Sequence, residues 1–74
     1  MYVRVKYRKE ELNGYGGREY TFSCDIPVQP YQKVLVDSTS GELKQAIVTE
    51  INVPESELDP AWINRIKKVK GYDA

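Results

Sequence analysis

The sequence contains no histidine and one cysteine in 74 residues. Because histidine is the commonest general base and metal ligand, its absence leaves Cys24 without an imidazole that activates the thiol. A zinc site held by thiolates also needs several ligands in set spacing. We therefore expect no catalytic residue, no metal site and no enzyme activity. Cys24 lies in an alternating apolar stretch, which favours a small buried side chain.

Long hydrophobic runs are also missing. The first ten residues lack the apolar stretch of a signal peptide, and no segment approaches the roughly 20 apolar residues of a membrane span. A chain of 74 residues has room for one domain, without separate sites for a cofactor and a substrate. We expect a single domain over residues 1–74 that holds no cofactor, lies in the reducing cytoplasm and is not bound to a membrane.

Neither sign of charge is in excess, since 11 basic residues balance 11 acidic ones. Hydrophobic residues make up 41% of the chain and aromatic residues 11%. A disordered chain has fewer aromatic residues and a large net charge. The composition therefore predicts a folded domain, although a chain of this size buries only about 60% of its unfolded surface and has a small margin of stability.

Alternating side chains predict two strands near the start of the chain. Residues 2–8 have the period of a half-buried strand. Its inward side chains are Val3, Val5 and Tyr7. A second strand is predicted over residues 19–26. Its inward side chains are Tyr20, Phe22, Cys24 and Ile26. Residues 9–17 contain an Asn-Gly turn signal and further glycines, which predicts a mobile loop with Tyr15 at its tip.

The middle of the chain predicts a hairpin and a bent strand. Residues 33–36 are mostly β-branched and residues 37–41 are turn formers, so a hairpin joins a third strand to a fourth over residues 42–53. The apolar side chains of the fourth strand change parity half-way along it, which predicts a bulge near residues 49–50. A long bent strand is typical of a barrel.

The last third of the chain predicts a helical element. Asp59 followed by Pro60 is a typical helix start, which predicts a helix over residues 60–65. Residues 65–70 fit either the continuation of this helix or a fifth strand that closes a barrel. Trp62 is expected to be buried over one open end of the barrel, and an exposed contact for a partner protein is the alternative.

These elements together predict a mainly β fold. The architecture we expect is a small, partly open β-barrel of SH3-like or OB-like type, with four to five strands and a C-terminal helical element. The alternative is an α+β arrangement, in which a longer helix over residues 60–70 packs on one face of a curved antiparallel sheet.

Three short motifs follow one another in the middle half of the chain. They are Tyr20-Thr21-Phe22, then Lys33-Val34-Leu35-Val36-Asp37-Ser38 with Gly41, then Ala46-Ile47-Val48-Thr49-Glu50-Ile51. The series resembles the pattern of small phage and prophage proteins of unknown function. More weakly, it is similar to the N-terminal DNA-binding domain of the primosomal replication-restart helicase, a small β-barrel. Tyr31-Gln32 stands where the pattern usually has Gly-Asp, so the turn before the third strand is built differently here. The resemblance implies a small barrel of bacterial or phage origin and transfers no catalytic residue.

Basic residues are concentrated at the two ends of the sequence. Residues 1–9 carry four basic and no acidic side chains, residues 65–70 carry four basic ones, and the segment between them has three basic against ten acidic. Side by side, the two ends form a basic surface that attracts phosphates, with tyrosines to stack on bases. The candidate contacts are Tyr2, Arg4, Lys6, Arg8, Tyr15, Lys67 and Lys70. Zero net charge favours the alternative, in which these ends pair with the acidic middle or are solvated.

These observations predict a non-catalytic binding module. The first hypothesis is protein–protein interaction, as an accessory of a phage or mobile element with an unidentified protein partner. The second hypothesis is nucleic-acid binding by a small barrel through its basic N-terminal and C-terminal segments. By itself the protein is expected to be a monomer or a weak homo-oligomer.

Overall fold

Five strands form one antiparallel sheet in the computed structural model, which describes residues 1–73. The strands are β1 (Tyr2–Lys9), β2 (Gly14–Ser23), β3 (Lys33–Val36), β4 (Lys44–Val53) and β5 (Val69–Tyr72). Their order across the sheet is β2-β1-β4-β3-β5. The predicted mainly β class is therefore confirmed. Within the described part of the chain, no helix has the length and apolar character needed to cross a membrane.

The connection between β1 and β2 is shorter than predicted. β1 extends to Lys9, one turn of 3-10 helix covers Glu10–Leu12, and Asn13 reverses the chain with a φ of 48°. β2 begins immediately afterwards, so Tyr15 pairs with Arg8. The predicted mobile loop with Tyr15 at its tip is wrong. A glycine-rich stretch has no alternating side chains to reveal a strand, but its backbone groups still pair.

β4 bends where the change of side-chain parity predicts it. Arg4 pairs with Glu50 whereas the next residue, Val5, pairs with Val48, so Thr49 is an extra residue on β4. The predicted bulge is thus confirmed. A second shift of register lies closer to the start of β1. These irregularities bring apolar side chains of both parities on β4 toward the same side of the sheet.

The predicted hairpin between β3 and β4 is confirmed, and the two strands pair antiparallel. β4 begins at Lys44, slightly later than predicted. The Ser38 side chain holds the connecting turn, because its Oγ donates a hydrogen bond of 2.6 Å to the carbonyl oxygen of Glu42. The backbone N–H of Gly41 donates to the carbonyl oxygen of Ser38 at 3.1 Å, and Gly41 adopts a φ of 83° that favours glycine.

One apolar cluster lies on the inner face of the sheet. Its buried members are Val3, Val5, Phe22, Cys24, Val28, Val34, Val36, Ala46, Val48 and Val69. Cys24 is buried as predicted, and its thiol donates a hydrogen bond of 3.2 Å to the carbonyl oxygen of Ile26. Val28 lies between β2 and β3 and keeps the parity of Cys24 and Ile26 beyond Pro27, where the predicted strand ends, so the alternation of buried residues continues further than predicted. Full burial of one such side chain stabilises the fold by roughly 1.5–3 kcal/mol.

The predicted C-terminal helix is wrong. Residues 60–62 form a turn, and Ile63–Arg65 is one turn of 3-10 helix. Val69–Tyr72 then forms β5 along β3. The alternative fold with a long helix over residues 60–70 is wrong for the same reason. Without β5, the backbone groups of β3 on that edge lack partners in the sheet, so pairing there outweighs the weak local helix signal.

Candidate partner-binding grooves

The inner face of the sheet is open beside Tyr20. Phe22 and Tyr20 lie opposite Val3 and Val5 in β1, so both face the apolar cluster, yet the side chain of Tyr20 is 43% exposed. The chain before β5 meets β2 further along, where the N–H of Ser23 donates to the carbonyl oxygen of Lys67 at 2.9 Å. Two grooves open next to Tyr20, and this residue lines both of them.

The first groove, which we call the cationic groove, has a volume of about 660 Å³. Its charged lining residues are Arg8, Lys9, Lys44 and Lys67, together with Glu10 and Asp37. The basic residues come from β1, β4 and the segment before β5. A concave surface with more basic than acidic side chains attracts anionic groups.

Two tyrosine rings lie in the wall of the cationic groove. The ring centroids of Tyr7 and Tyr20 are 5.0 Å apart, at an interplanar angle of 54°. The Tyr7 ring also contacts Phe22 edge-on, with centroids 6.3 Å apart. Burial, with a further contribution from Tyr20, raises the pKa of the Tyr7 hydroxyl above its ordinary value of 10.0. Tyr7 therefore stays neutral at physiological pH and joins the apolar cluster to the groove.

The second groove, which we call the aromatic groove, has a volume of about 510 Å³. Its apolar lining residues are Tyr20, Phe22, Leu58, Trp62 and Ile66. Trp62 is 57% exposed, so the prediction that it is buried over the barrel is wrong. Valines and Phe22 fill the inner face of the sheet without it. The indole instead lies on a turn outside the apolar cluster.

A short turn positions Trp62 at the groove. Asp59 Oδ1 accepts a hydrogen bond of 3.0 Å from the N–H of Ala61, and the Asp59 carbonyl accepts one of 2.9 Å from the N–H of Trp62. The helix-start signal at Asp59 therefore stabilises a single turn and does not begin a helix. The guanidinium carbon of Arg65 lies 5.2 Å from the centre of the Trp62 ring, within the range of a cation–π contact.

Arg4 lines the aromatic groove with a largely balanced charge. Its Nη1 lies 3.2 Å from Oε1 of Glu50, and its Nη2 lies 3.6 Å from Oε2 of Glu57. These pairs connect β1 to β4 and to the 3-10 helix Glu55–Glu57. Arg4 is therefore engaged by the acidic middle of the chain, as the alternative to a phosphate-binding surface predicted.

The structure brings together only part of the predicted basic surface. Arg8 and Lys67 line the cationic groove together, and Lys67 also lines the aromatic groove. The remaining candidates line neither groove; they are Tyr2 and Lys6 in β1, Tyr15 in β2 and Lys70 in β5. The two ends of the chain thus meet at the cationic groove through two of the predicted side chains.

Sequence reasoning missed several residues that line the grooves. Lys44 was not among the predicted contacts because it lies outside the two basic ends of the sequence. The predicted β3–β4 hairpin nevertheless places it close to the turn that lines the groove. Leu58 lies in a segment rich in acidic residues, and its own apolar side chain is a weak signal for a place in a groove. Tyr20 was assigned to the interior because alternation gives the direction of a side chain and not what covers it.

In residues 1–73, no group of three or more histidine, cysteine, aspartate or glutamate side chains is placed to hold a metal ion. No family model, curated protein or solved structure matches this chain.

Proposed function

We propose that this protein is a non-catalytic module that binds a protein partner through the aromatic groove. The observation that carries the proposal is the exposure of Trp62, at 57%, beside the half-exposed Tyr20 in a concave surface. Exposed tryptophan and tyrosine side chains in a pocket are the residues that contribute most to protein interfaces. Leu58 and Ile66 add aliphatic surface to the same groove, which suits an apolar side chain of a partner.

The proposal includes the partly open barrel of SH3-like or OB-like type. It is supported by the parallel bridge between Ser23 and Lys68, which joins the end of β2 to the residue before β5, the two edge strands of the sheet. In such a barrel, the two grooves lie in the gap between the edge strands β2 and β5. Slow hydrogen exchange of the Ser23 amide is the expected result, because that N–H donates to the Lys67 carbonyl. Exchange at the rate of an exposed amide contradicts the closure.

The resemblance of the middle strands to small phage and prophage proteins supports the wider setting of this proposal. In that setting the partner belongs to a phage or mobile element, or to the host cell that it enters. The groove chemistry does not depend on this origin.

Selection from a random peptide library tests the binding function. The library is selected on the wild-type protein, and the affinity of each enriched peptide for the wild type and for Trp62→Ala is measured by isothermal titration calorimetry. The fluorescence of Trp62, the one tryptophan of the chain, shows whether the peptide reaches the groove of the wild type. We expect peptides that change this fluorescence and bind Trp62→Ala at least about 30-fold more weakly, as for a tryptophan that dominates an interface. A selection that yields no such peptide, or peptides that bind both proteins equally, contradicts the proposal.

A second candidate function is nucleic-acid binding in the cationic groove. It is supported by Arg8 and Lys67 lining one groove beside the rings of Tyr7 and Tyr20. Binding of a single-stranded oligonucleotide should weaken as salt rises, and Arg8→Ala with Lys67→Ala should reduce the slope. Lys6→Ala with Lys70→Ala is the matched control, because these residues line neither groove. Absence of binding at low salt excludes this function.

A further inference from the structure

The two grooves are parts of one continuous surface. Tyr20, Thr39 and Lys67 line both of them, so no wall separates the apolar end, beside Trp62, from the charged end, beside Lys44. A ligand that occupies one groove therefore reaches the other across Tyr20. The surface offers two different chemistries to a single extended segment, and the chemistry of each end restricts what that segment carries.

Among the residues that the structure describes, no carboxylate lies within ion-pair distance of a basic side chain of the cationic groove. Within residues 1–73, the ion pairs join Arg4 to Glu50 and Glu57, and Lys68 to Asp25. None of these pairs involves a residue of the cationic groove. Four basic residues therefore line the groove against two acidic ones, which leaves its lining with a net positive charge.

The aromatic groove is balanced in charge and apolar in its centre. Arg4 and Glu57 neutralise each other there, and Glu19 accepts a hydrogen bond of 2.7 Å from the hydroxyl of Thr49. Arg65 is placed over Trp62. The remaining surface consists mainly of aromatic and aliphatic side chains, which recognise an apolar side chain rather than a charge.

We infer that the partner is an acidic peptide segment with one large apolar side chain, which enters the aromatic groove beside Trp62 while its carboxylates lie along the cationic groove. This inference rests on the proposed protein-binding function. Carboxylates that meet uncompensated basic side chains increase the association rate and select against basic partners. The apolar side chain supplies most of the affinity, because exposed charge pairs contribute little.

A peptide fits this surface better than a nucleic acid does. The whole chain has no net charge, so a long polyanion gains little attraction beyond the cationic groove. Glu10 and Asp37 share that groove with four basic residues, so its small excess of positive charge suits a few carboxylates better than a phosphate at every nucleotide step. An acidic peptide brings a few carboxylates at one end only, and its apolar side chain uses Leu58 and Ile66, which offer nothing specific to a base.

Three synthetic peptides test the inference. The first has a leucine followed by a run of glutamates, the second has glutamines in place of the glutamates, and the third has alanine in place of the leucine. None of them contains tryptophan, so the fluorescence of Trp62 reports binding to the wild-type protein, and isothermal titration calorimetry reports binding to Trp62→Ala. We expect the first peptide to bind, the second to bind about tenfold more weakly at low salt, and the third to show no binding. A single-stranded oligothymidylate is measured in parallel.

Two double variants locate the charge effect on the protein. Lys9→Ala with Lys44→Ala, which changes residues of the cationic groove alone, should weaken the glutamate peptide about tenfold and leave the glutamine peptide unchanged. Lys33→Ala with Lys70→Ala makes the same change in net charge outside both grooves and should have little effect. Thermal unfolding of each variant shows that a loss of binding does not come from a loss of folding.

The outcomes separate this inference from the proposed function. If the glutamine peptide binds as well as the glutamate peptide and Trp62→Ala abolishes both, the groove binds proteins but the acidic partner is wrong. If no peptide changes the fluorescence, or if Trp62→Ala has no effect on binding, both proposals fail. If oligothymidylate binds the same surface more tightly than any peptide, the ligand is a nucleic acid and the inference is overturned.

Discussion

The guanidinium carbon of Arg65 lies 5.2 Å from the centre of the Trp62 ring, and the two residues belong to consecutive turns rather than to a helix. This contact places a cation beside an indole that the apolar cluster does not cover. It supports one side of the ring while the ring remains largely exposed. The aromatic groove is therefore formed by a local turn, and the sheet contributes Tyr20 and Phe22 to it.

Replacement of Trp62 by alanine should have little effect on stability. We expect Trp62→Ala to change the free energy of unfolding by no more than about 1 kcal/mol, because the side chain is more than half exposed and loses mainly a surface cation–π contact. Phe22→Ala is the comparison, and it should cost about 3–5 kcal/mol because Phe22 is 3% exposed. Urea denaturation measures both. A similar large loss in the two variants would mean that Trp62 is part of the core.

Tyr31 occupies a backbone conformation that favours glycine. Its φ is 70° and its side chain is 75% exposed, while its N–H donates to the carbonyl oxygen of Val48. Tyr31→Gly should therefore raise the free energy of unfolding by up to about 1 kcal/mol, since it relieves the steric cost of the left-handed region.

Tyr31→Ala is the control for this prediction. Alanine removes the same exposed ring but keeps the Cβ atom and its steric cost, so we expect no gain in stability. Thermal unfolding of the two variants side by side separates the backbone effect from the loss of the ring. Equal melting temperatures for Tyr31→Gly and Tyr31→Ala would contradict the assignment of strain to this residue.

Ser38 should contribute to stability through the β3–β4 turn. It is buried, and its Oγ donates a hydrogen bond of 2.6 Å to the carbonyl oxygen of Glu42. We expect Ser38→Ala to lower the free energy of unfolding by about 1 kcal/mol, the usual value for one such bond. Thr39→Ala changes the exposed neighbour in the same turn and should have a smaller effect. Chemical denaturation of both variants gives the difference, and equal losses would mean that the Ser38 hydrogen bond is not stabilising.

Tyr7 should make the fold less stable in alkaline solution. The raised pKa of Tyr7 means that the folded state keeps a proton at pH values where the unfolded chain, with the ordinary pKa of 10.0, has lost it. The free energy of unfolding therefore has its full value below pH 10.0 and falls as the pH rises from there through the folded-state pKa. Tyr7→Phe should remove this part of the alkaline loss.

The test of this prediction is the melting temperature of each protein as a function of pH. Tyr31→Phe is the matched control, because it removes the hydroxyl of an exposed tyrosine and should keep the alkaline slope of the wild type. Identical slopes for the wild type and Tyr7→Phe above pH 10.0 would show that burial of Tyr7 does not affect its titration.

Part of the fold follows from patterns within short segments of neighbouring residues. Val3 and Val5 are buried because strict alternation on β1 leaves one face for the core. The bulge at Thr49 is predicted for the same reason, since a parity change within one strand has no other solution that buries both sets of apolar residues. Turn formers between β3 and β4 specify the hairpin.

The candidate site was predicted less well because it depends on what covers each side chain. Lys67 and Arg8 were selected from charge alone and do meet, but Lys44 joins them only through the hairpin. Arg4 was also predicted to contact a ligand, but its guanidinium group forms ion pairs with Glu50 and Glu57. Charge patterns in a sequence show how many basic residues there are, and not which acidic residues reach them.

The sequence by itself determined the β class, the inner face of β1 and β2, the bulge and the burial of Cys24, because each depends on periodicity within a few neighbouring residues. Only the tertiary structure decided that a fifth strand, and not a longer helix, follows residue 65, and that Trp62 lies exposed in a groove. Both depend on an edge of β3 that is distant in sequence, since hydrogen bonds along that edge hold the last strand and leave the preceding turn outside the core.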